Sequence, residues 1–81
     1  MYERIRNMRE DRDLTQAQMA KHLNIHQTTY SDYELGSLNI PITALDKIAD
    51  IFNTSVDYLI NRTDIVKPYP RKIKHSDKNF D

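Results

Sequence analysis

Four side chains in one short segment pose the chemical question. Gln27, Thr28, Ser31 and Asp32 fall at i, i+1, i+4 and i+5, so on a helix they share one outer edge. Each carries a hydrogen-bonding group on a short or mid-length stem. A glutamine amide donates and accepts at once, which matches adenine N6 and N7 bidentately. A threonine methyl meets the thymine methyl, and an aspartate accepts from cytosine N4 while repelling phosphate. Such an edge is suited to reading base pairs, and amide and hydroxyl groups without Lys/Glu pairs are an unusual choice for solubility alone. His26, just before it, can reach backbone or base and gains charge at lower pH.

The stretch Leu14 to Gly36, LTQAQMAKHLNIHQTTYSDYELG, has to position that edge. It reads as two short helices joined by a tight corner. The Thr15 hydroxyl can cap the first by accepting a backbone N–H two or three residues on. Met19, Ala20 and Leu23 fall on one inner face. Asn24 stands where the chain turns, and asparagine tolerates the left-handed backbone state. Ile25 plugs the corner from below. The second helix begins near His26 or Gln27, turns Tyr30 and Tyr33 inward and ends at Gly36. Inward spacing makes the tyrosines core residues before stacking residues, and each hydroxyl then needs a partner at the core edge. A small residue such as Ala20 suits the closest approach of two steeply crossing helices. Ala20, a turn residue four on and an apolar Tyr30 ten on have the spacing of a helix-turn-helix.

The remaining elements supply the support. Helix one is expected over about Tyr2 to Arg12, with Ile5 and Met8 inward, Arg9 beside them, and Glu10 to Asp13 as a solvated connection. After Gly36, SLNIPI is irregular, and Pro41 pre-sets the next helix start. Helix four is expected over Ile42 to Phe52, with Leu45, Ile48, Ala49 and Phe52 at i, i+3, i+4 and i+7. Ser55 caps helix five, Asp57 complements its dipole, and Val56 and Leu59 pack back. Asn24, Gly36, Asn53 and Asn61 are the expected helix ends in a chain with a single glycine.

Length and composition narrow the function classes. Eighty-one residues are read as one domain, residues 1–64, followed by a tail. With no cysteine there are no disulfides or thiolate metal sites, and a cytoplasmic setting is expected. No apolar run suits a membrane span, and MYERIRNMRED lacks an apolar signal core. The overall charge is zero, but residues 1–64 carry net −3 and residues 65–81 net +3. No Lys or Arg occurs between His22 and Asp46, which counts against nucleic-acid binding. The tail, IVKPYPRKIKHSDKNFD, is basic with two prolines two apart. A flexible tail, a basic arm on DNA and a strand-like extension joining two subunits all fit it. His22 and His26 are four apart, but the Asn24 corner puts them on different helices, so no metal and no cofactor are expected. No phosphate-binding glycine loop and no nucleophile–base arrangement is evident, so an enzyme is not expected.

The run LTQAQMAKHLNIHQTTYSDYELG followed by IPITALDKIADIFNTSVDYLINRTD resembles the Cro/C1-type (XRE) helix-turn-helix family of phage and bacterial repressors, over roughly residues 3 to 64. The motifs are LTQ at the start of helix two, Glu34 and Gly36 at the end of helix three, and S-V-D-Y-L-I at the last helix. The resemblance implies an all-α, five-helix, lambda-repressor-like DNA-binding domain. It implies an ion pair between Arg9 and Glu34 beneath the motif. It also implies that Gln16 touches a phosphate or braces the start of the reading helix. Family members more often carry an aliphatic residue where Tyr30 stands. The residues expected at DNA are Thr15, Gln16, His26, Gln27, Thr28, Ser31 and Asp32, with Ser37 and Asn39 beyond the helix. Backbone amides, Arg12, Lys21 and the basic tail would meet the phosphates. The implied function is a homodimeric, sequence-specific regulator of transcription on double-stranded DNA. The alternative is the same fold used as a protein-interaction module, which the acidic balance of residues 1–64 would suit. Helix five and the tail are the candidate dimer surfaces.

Overall fold

A computed structural model of the chain describes residues 2–70. It contains α1 (Glu3–Asp11), α2 (Gln16–Leu23), α3 (Gln27–Leu35), α4 (Ile42–Phe52) and α5 (Val56–Leu59), with no strand among the described residues. The all-α, five-helix expectation therefore holds. No helix among these residues is long and apolar enough to cross a membrane.

All five helices stop by the same device. Asp13, Asn24, Gly36, Asn53 and Asn61 have φ of 56°, 59°, 83°, 56° and 67°. In each case the next residue's N–H donates to the carbonyl five positions back: Leu14 to Arg9, Ile25 to Ala20, Ser37 to Asp32, Thr54 to Ala49 and Arg62 to Asp57, at 2.8–3.1 Å. That bond satisfies a carbonyl left orphaned by the helix end and reverses the chain. Asparagine and aspartate reach the left-handed state at lower cost than other residues with a Cβ. Asn24, Gly36, Asn53 and Asn61 do so as expected. Asp13 does so unexpectedly, because it sits in a run of charges that reads as solvated.

Every helix sends at least one side chain fully into the centre: Ile5, Met19, Tyr30, Ile48 with Phe52, and Leu59. Each large apolar side chain so buried contributes about 1.5–3 kcal/mol. α1 packs on α3, α4 and α5, so it is the spine of the bundle, while α2 lies across α3 and α4.

Two arginines fasten the ends of this core. Arg4 donates to the carbonyls of Tyr58 (3.0 Å) and Thr63 (2.7 Å) and to Asp64 (2.7 Å), with its guanidinium 4.1 Å from the centroid of the Tyr58 ring. Arg12 is exposed, as expected of the connection after α1, but has a further role. It is not simply part of a solvated connection: it donates to the Phe52 carbonyl at 2.8 Å and lies over the Phe52 ring. A carbonyl at the end of α4 needs a donor, and Arg12 is long enough to supply it. Residues 65–70 follow the bundle surface, where Thr54 donates its hydroxyl to the Val66 carbonyl and Tyr69 donates to Asp57 at 2.9 Å. The basic part of the tail, 71–81, lies outside the described residues.

Candidate nucleic-acid interface

The corner between α2 and α3 is built from its start. The Thr15 hydroxyl accepts the Gln18 N–H at 3.0 Å, and the Gln18 side chain accepts the Thr15 N–H at 2.8 Å. This reciprocal capping box fixes where α2 begins. Met19, Ala20 and Leu23 are buried, Asn24 turns the chain, and Ile25 is half-buried against the core. His26 then occupies the N-cap of α3 in an extended conformation, without a side-chain cap. Tyr30 and Tyr33 face the interior, so the opposite side of α3 faces out.

The expected residues divide by exposure. His26, Gln27 and Thr28 are exposed at the N-terminal end of α3. Ser31 and Asp32, one turn on, are half-buried, and the Asp32 carbonyl accepts the Ser37 and Leu38 amides at 2.9 and 3.3 Å. Ser37 and Asn39 are exposed in the connection after α3. Thr15 is exposed with its hydroxyl engaged in the cap.

Gln16 is half-buried and joined to α3. Its amide donates to Glu34 Oε1 at 3.0 Å. Glu34 also receives Arg9 Nε at 2.7 Å on Oε2 and Arg9 Nη2 at 3.2 Å on Oε1, a forked ion pair. The third Arg9 nitrogen, Nη1, donates to the Leu14 carbonyl at 2.8 Å. One guanidinium thus ties α1, the connection before α2 and the end of α3 together. The Glu34 side chain is 3% exposed and that of Arg9 is 11% exposed. Burial alone would push the Glu34 carboxyl up. The Arg9 hydrogen bonds, the neighbouring Tyr30 hydroxyl, the Gln16 amide and the Arg9 charge overcome this and hold it below the ordinary carboxylate range. Arg9 is raised, chiefly by its hydrogen bond to Glu34, despite its own burial.

The Tyr30 hydroxyl departs from expectation. It lies inside the core, beside the Glu34 carboxylate, without a hydrogen bond of good geometry to any described group. Burial first, and the adjacent carboxylate second, push its pKa well up, so it stays neutral. Arg12, expected at phosphate, is exposed and donates Nη2 to the Phe52 carbonyl as described above. Lys21 is exposed on α2. The reciprocal role of Gln18 was readable in the Thr-x-x-Gln spacing, whereas the Arg12 contact spans 40 residues and has no local signature.

The profile of the helix-turn-helix family matches residues 5–59, which takes in all five helices from Ile5 to the end of α5. The chain belongs to the Cro/C1-type helix-turn-helix family of transcriptional regulators. Among its relatives is the uncharacterized HTH-type transcriptional regulator YobD of Bacillus subtilis, 32% identical over 78 residues, covering 96% of this chain and 68% of that protein. The cryptic phage CTXphi transcriptional repressor RstR of Vibrio cholerae is 42% identical over 60 residues, covering 74% of this chain and 54% of RstR. The uncharacterized HTH-type transcriptional regulator YqaE of Bacillus subtilis is 38% identical over 58 residues, covering 72% of this chain and 50% of YqaE. The chain thus spans about half the length of the latter two relatives. No solved structure matches it at a significant level. In family terms α2 and α3 are the helix-turn-helix, and the Arg9–Glu34 pair lies beneath it as the resemblance implied.

Proposed function

We propose that the chain is a sequence-specific regulator of the repressor type that binds double-stranded DNA as a homodimer and reads the major groove with α3. One observation carries this reading. Gln27 and Thr28 stand exposed and uncharged at the N-terminal end of α3, on a helix anchored by two buried tyrosines and by the Arg9–Glu34 pair. The N-terminal residues of such a helix are the ones that reach base edges. Gln27 is assigned to adenine and Thr28 to a thymine methyl, with Ser31, Asp32 and His26 at the margin of the contact. The repressor type rests on the printed name of RstR.

Phosphates are assigned mainly to groups without formal charge. The first-turn amides of α2 offer donors together with the helix dipole. Gln16 has one amide N–H held by Glu34, and the same amide group carries a second N–H. Ser37, Asn39 and Lys21 complete the set, and Arg12 is withdrawn from it.

The homodimer follows from magnitudes. One good bidentate base contact discriminates by about 1–3 kcal/mol. Specific binding exceeds non-specific binding by about 4–10 kcal/mol. One short edge falls below that range, and two edges on a palindrome reach it. A fold serving only to hold a protein partner would leave the Gln27–Thr28 edge without a role.

The test is a gel shift with the upstream region of the chain's own gene and with a duplex selected from a random pool. Gln27→Ala/Thr28→Ala should abolish sequence preference and leave thermal stability within about 0.5 kcal/mol, as for surface substitutions. Retention of the same preference by the double variant would refute the assignment of the reading edge.

A further inference from the structure

Among the described residues, the Tyr30 hydroxyl is the one buried side-chain polar atom without a hydrogen-bond partner. The side chain is fully buried, so no water on the surface can serve it. An unpaired buried hydroxyl is costly, because its bond to water is lost and not replaced. The orphan lies where α3 is braced. Tyr30 and Glu34 are four residues apart on α3, so they are neighbours on one face. Glu34 Oε1 accepts Arg9 Nη2 at 3.2 Å and Gln16 Nε2 at 3.0 Å, and Oε2 accepts Arg9 Nε at 2.7 Å. Three donors converge on this carboxylate, while a fourth, one helical turn away, stays unused.

The three donors differ in how readily they leave. Arg9 is held by its charge and by its third nitrogen, which donates to the Leu14 carbonyl at 2.8 Å. Gln16 is neutral, half-buried and at the start of α2, beside the amides assigned above to phosphate. Glu34 cannot follow a departing Gln16 outward, since its side chain is 3% exposed.

We propose that Tyr30 is a positioning residue for DNA binding: when Gln16 turns from Glu34 to a phosphate, the Tyr30 hydroxyl takes over its place on the carboxylate. The proposal rests on the assignment of Gln16 to phosphate in the regulator reading. Two arguments favour this exchange over a Gln16 amide that bridges Glu34 and the phosphate with its two N–H groups. Acceptors sharing one nitrogen stand about 5 Å apart, so a bridge would hold a phosphate close to a carboxylate of the same sign. A bridge would also leave the hydroxyl unpaired. In the exchange Glu34 keeps three donors, so α3 stays braced. The hydroxyl gains a charge-assisted bond, so a cost carried by the free chain is relieved on DNA.

The test is a double-mutant cycle of wild type, Tyr30→Phe, Gln16→Ala and the double variant. Each protein is measured for thermal stability without DNA and for affinity to a duplex selected by the wild-type chain from a random pool. In the wild-type background Tyr30→Phe should weaken DNA binding about tenfold, the worth of one hydrogen bond to a charged group. In the Gln16→Ala background the place on Glu34 is open with or without DNA, and the hydroxyl fills it in both states. There Tyr30→Phe should leave DNA affinity within about twofold, but should lower the melting temperature by about 5 °C more than it does in wild type. A tyrosine that only fills space would give the same effects in both backgrounds. Equal melting-temperature losses would overturn the proposal without reference to DNA. Undiminished affinity of Tyr30→Phe in the wild-type background would overturn it too, in favour of a bridging amide or a buried water at the hydroxyl. Failure of the wild type to select any duplex would refute the regulator reading and the exchange together, whereas failure of the exchange alone leaves wild-type binding intact.

Discussion

Removing Arg9 tests the support of the reading helix directly. Glu34 is 3% exposed on its side chain and receives two donors from Arg9 and one from Gln16. In Arg9→Met the Gln16 donor remains, and a buried carboxylate loses its counter-charge. Breaking a buried pair from one side costs about 3–5 kcal/mol. A domain of this size is stable by about 4–12 kcal/mol, so the loss is a large fraction of the whole. At about 4–8 °C per kcal/mol, the melting temperature should fall by about 12 °C or more. Arg9→Met/Glu34→Leu removes both charges and should recover most of that loss, because the pair as a unit is worth far less than either orphaned partner costs. The assay is thermal and urea unfolding of the four proteins of the cycle, followed by helical circular dichroism at pH 7. A single-variant loss below about 1 kcal/mol, or strictly additive losses, would refute the reasoning.

The same site predicts the acid limb of stability. Glu34 has a folded pKa held below its ordinary value of 4.5. The unfolded chain therefore binds the proton more readily, and the pair stabilises the fold fully above that ordinary value. Stability is lost as pH falls from about 4.5 through the depressed folded value. The double variant should show a flatter acid limb than wild type, and an unchanged limb would exclude Glu34 as its source.

Three further outcomes are expected. Tyr30→Phe should change stability by less than about 1 kcal/mol, since the hydroxyl has no well-formed bond to lose, whereas Tyr30→Ala should cost about 3–5 kcal/mol through the cavity. A cost above about 1.5 kcal/mol for the phenylalanine would mean that the hydroxyl is bonded to Glu34. Arg4→Ala should destabilise by about 1–3 kcal/mol by releasing two carbonyls and the Tyr58 ring. Arg4→Lys should restore less than half of this because an ammonium lacks the fork. The log–log dependence of DNA affinity on salt should be shallower than about −8 per dimer, and a steeper measured slope would require more cations than Lys21, the one Lys or Arg of the α2–α3 region.

Much of the fold was legible because its signals are local. The 3.6-residue period placed Leu45, Ile48, Ala49 and Phe52 inside, and the asparagines marked three helix ends. The Arg9–Glu34 pair came from the family resemblance, since no local pattern joins residues 25 positions apart. The Arg12 contact with Phe52 was missed for a related reason. The Arg12 charge pointed to solvent or phosphate, but the requirement it meets is an orphan carbonyl on another helix, visible only once α4 is docked. Asp13 was hidden by its neighbours, because a left-handed aspartate in a charged run has no distinguishing composition. At the candidate interface the helical period correctly turned Gln27 and Thr28 outward. It did not anticipate that the returning α3–α4 connection, bonded to the Asp32 carbonyl, would accompany partial burial of Ser31 and Asp32.

The absence of Lys and Arg between His22 and Asp46 is better understood as a choice about background than as a defect. Non-specific affinity for DNA comes almost entirely from cations on phosphates, and it is the quantity against which specific binding competes across a genome. Under the proposed reading, an α3 without cations would lower that background and leave the base contacts assigned to Gln27 and Thr28 unaffected. Under the proposed reading the cost is a weak single half-site, which is what the proposed second copy would offset. Occupancy would then rise with roughly the square of chain concentration. The rigid Arg9–Glu34–Gln16 bracing serves the same end, because short side chains on a fixed helix lose little rotamer freedom when they meet a base pair.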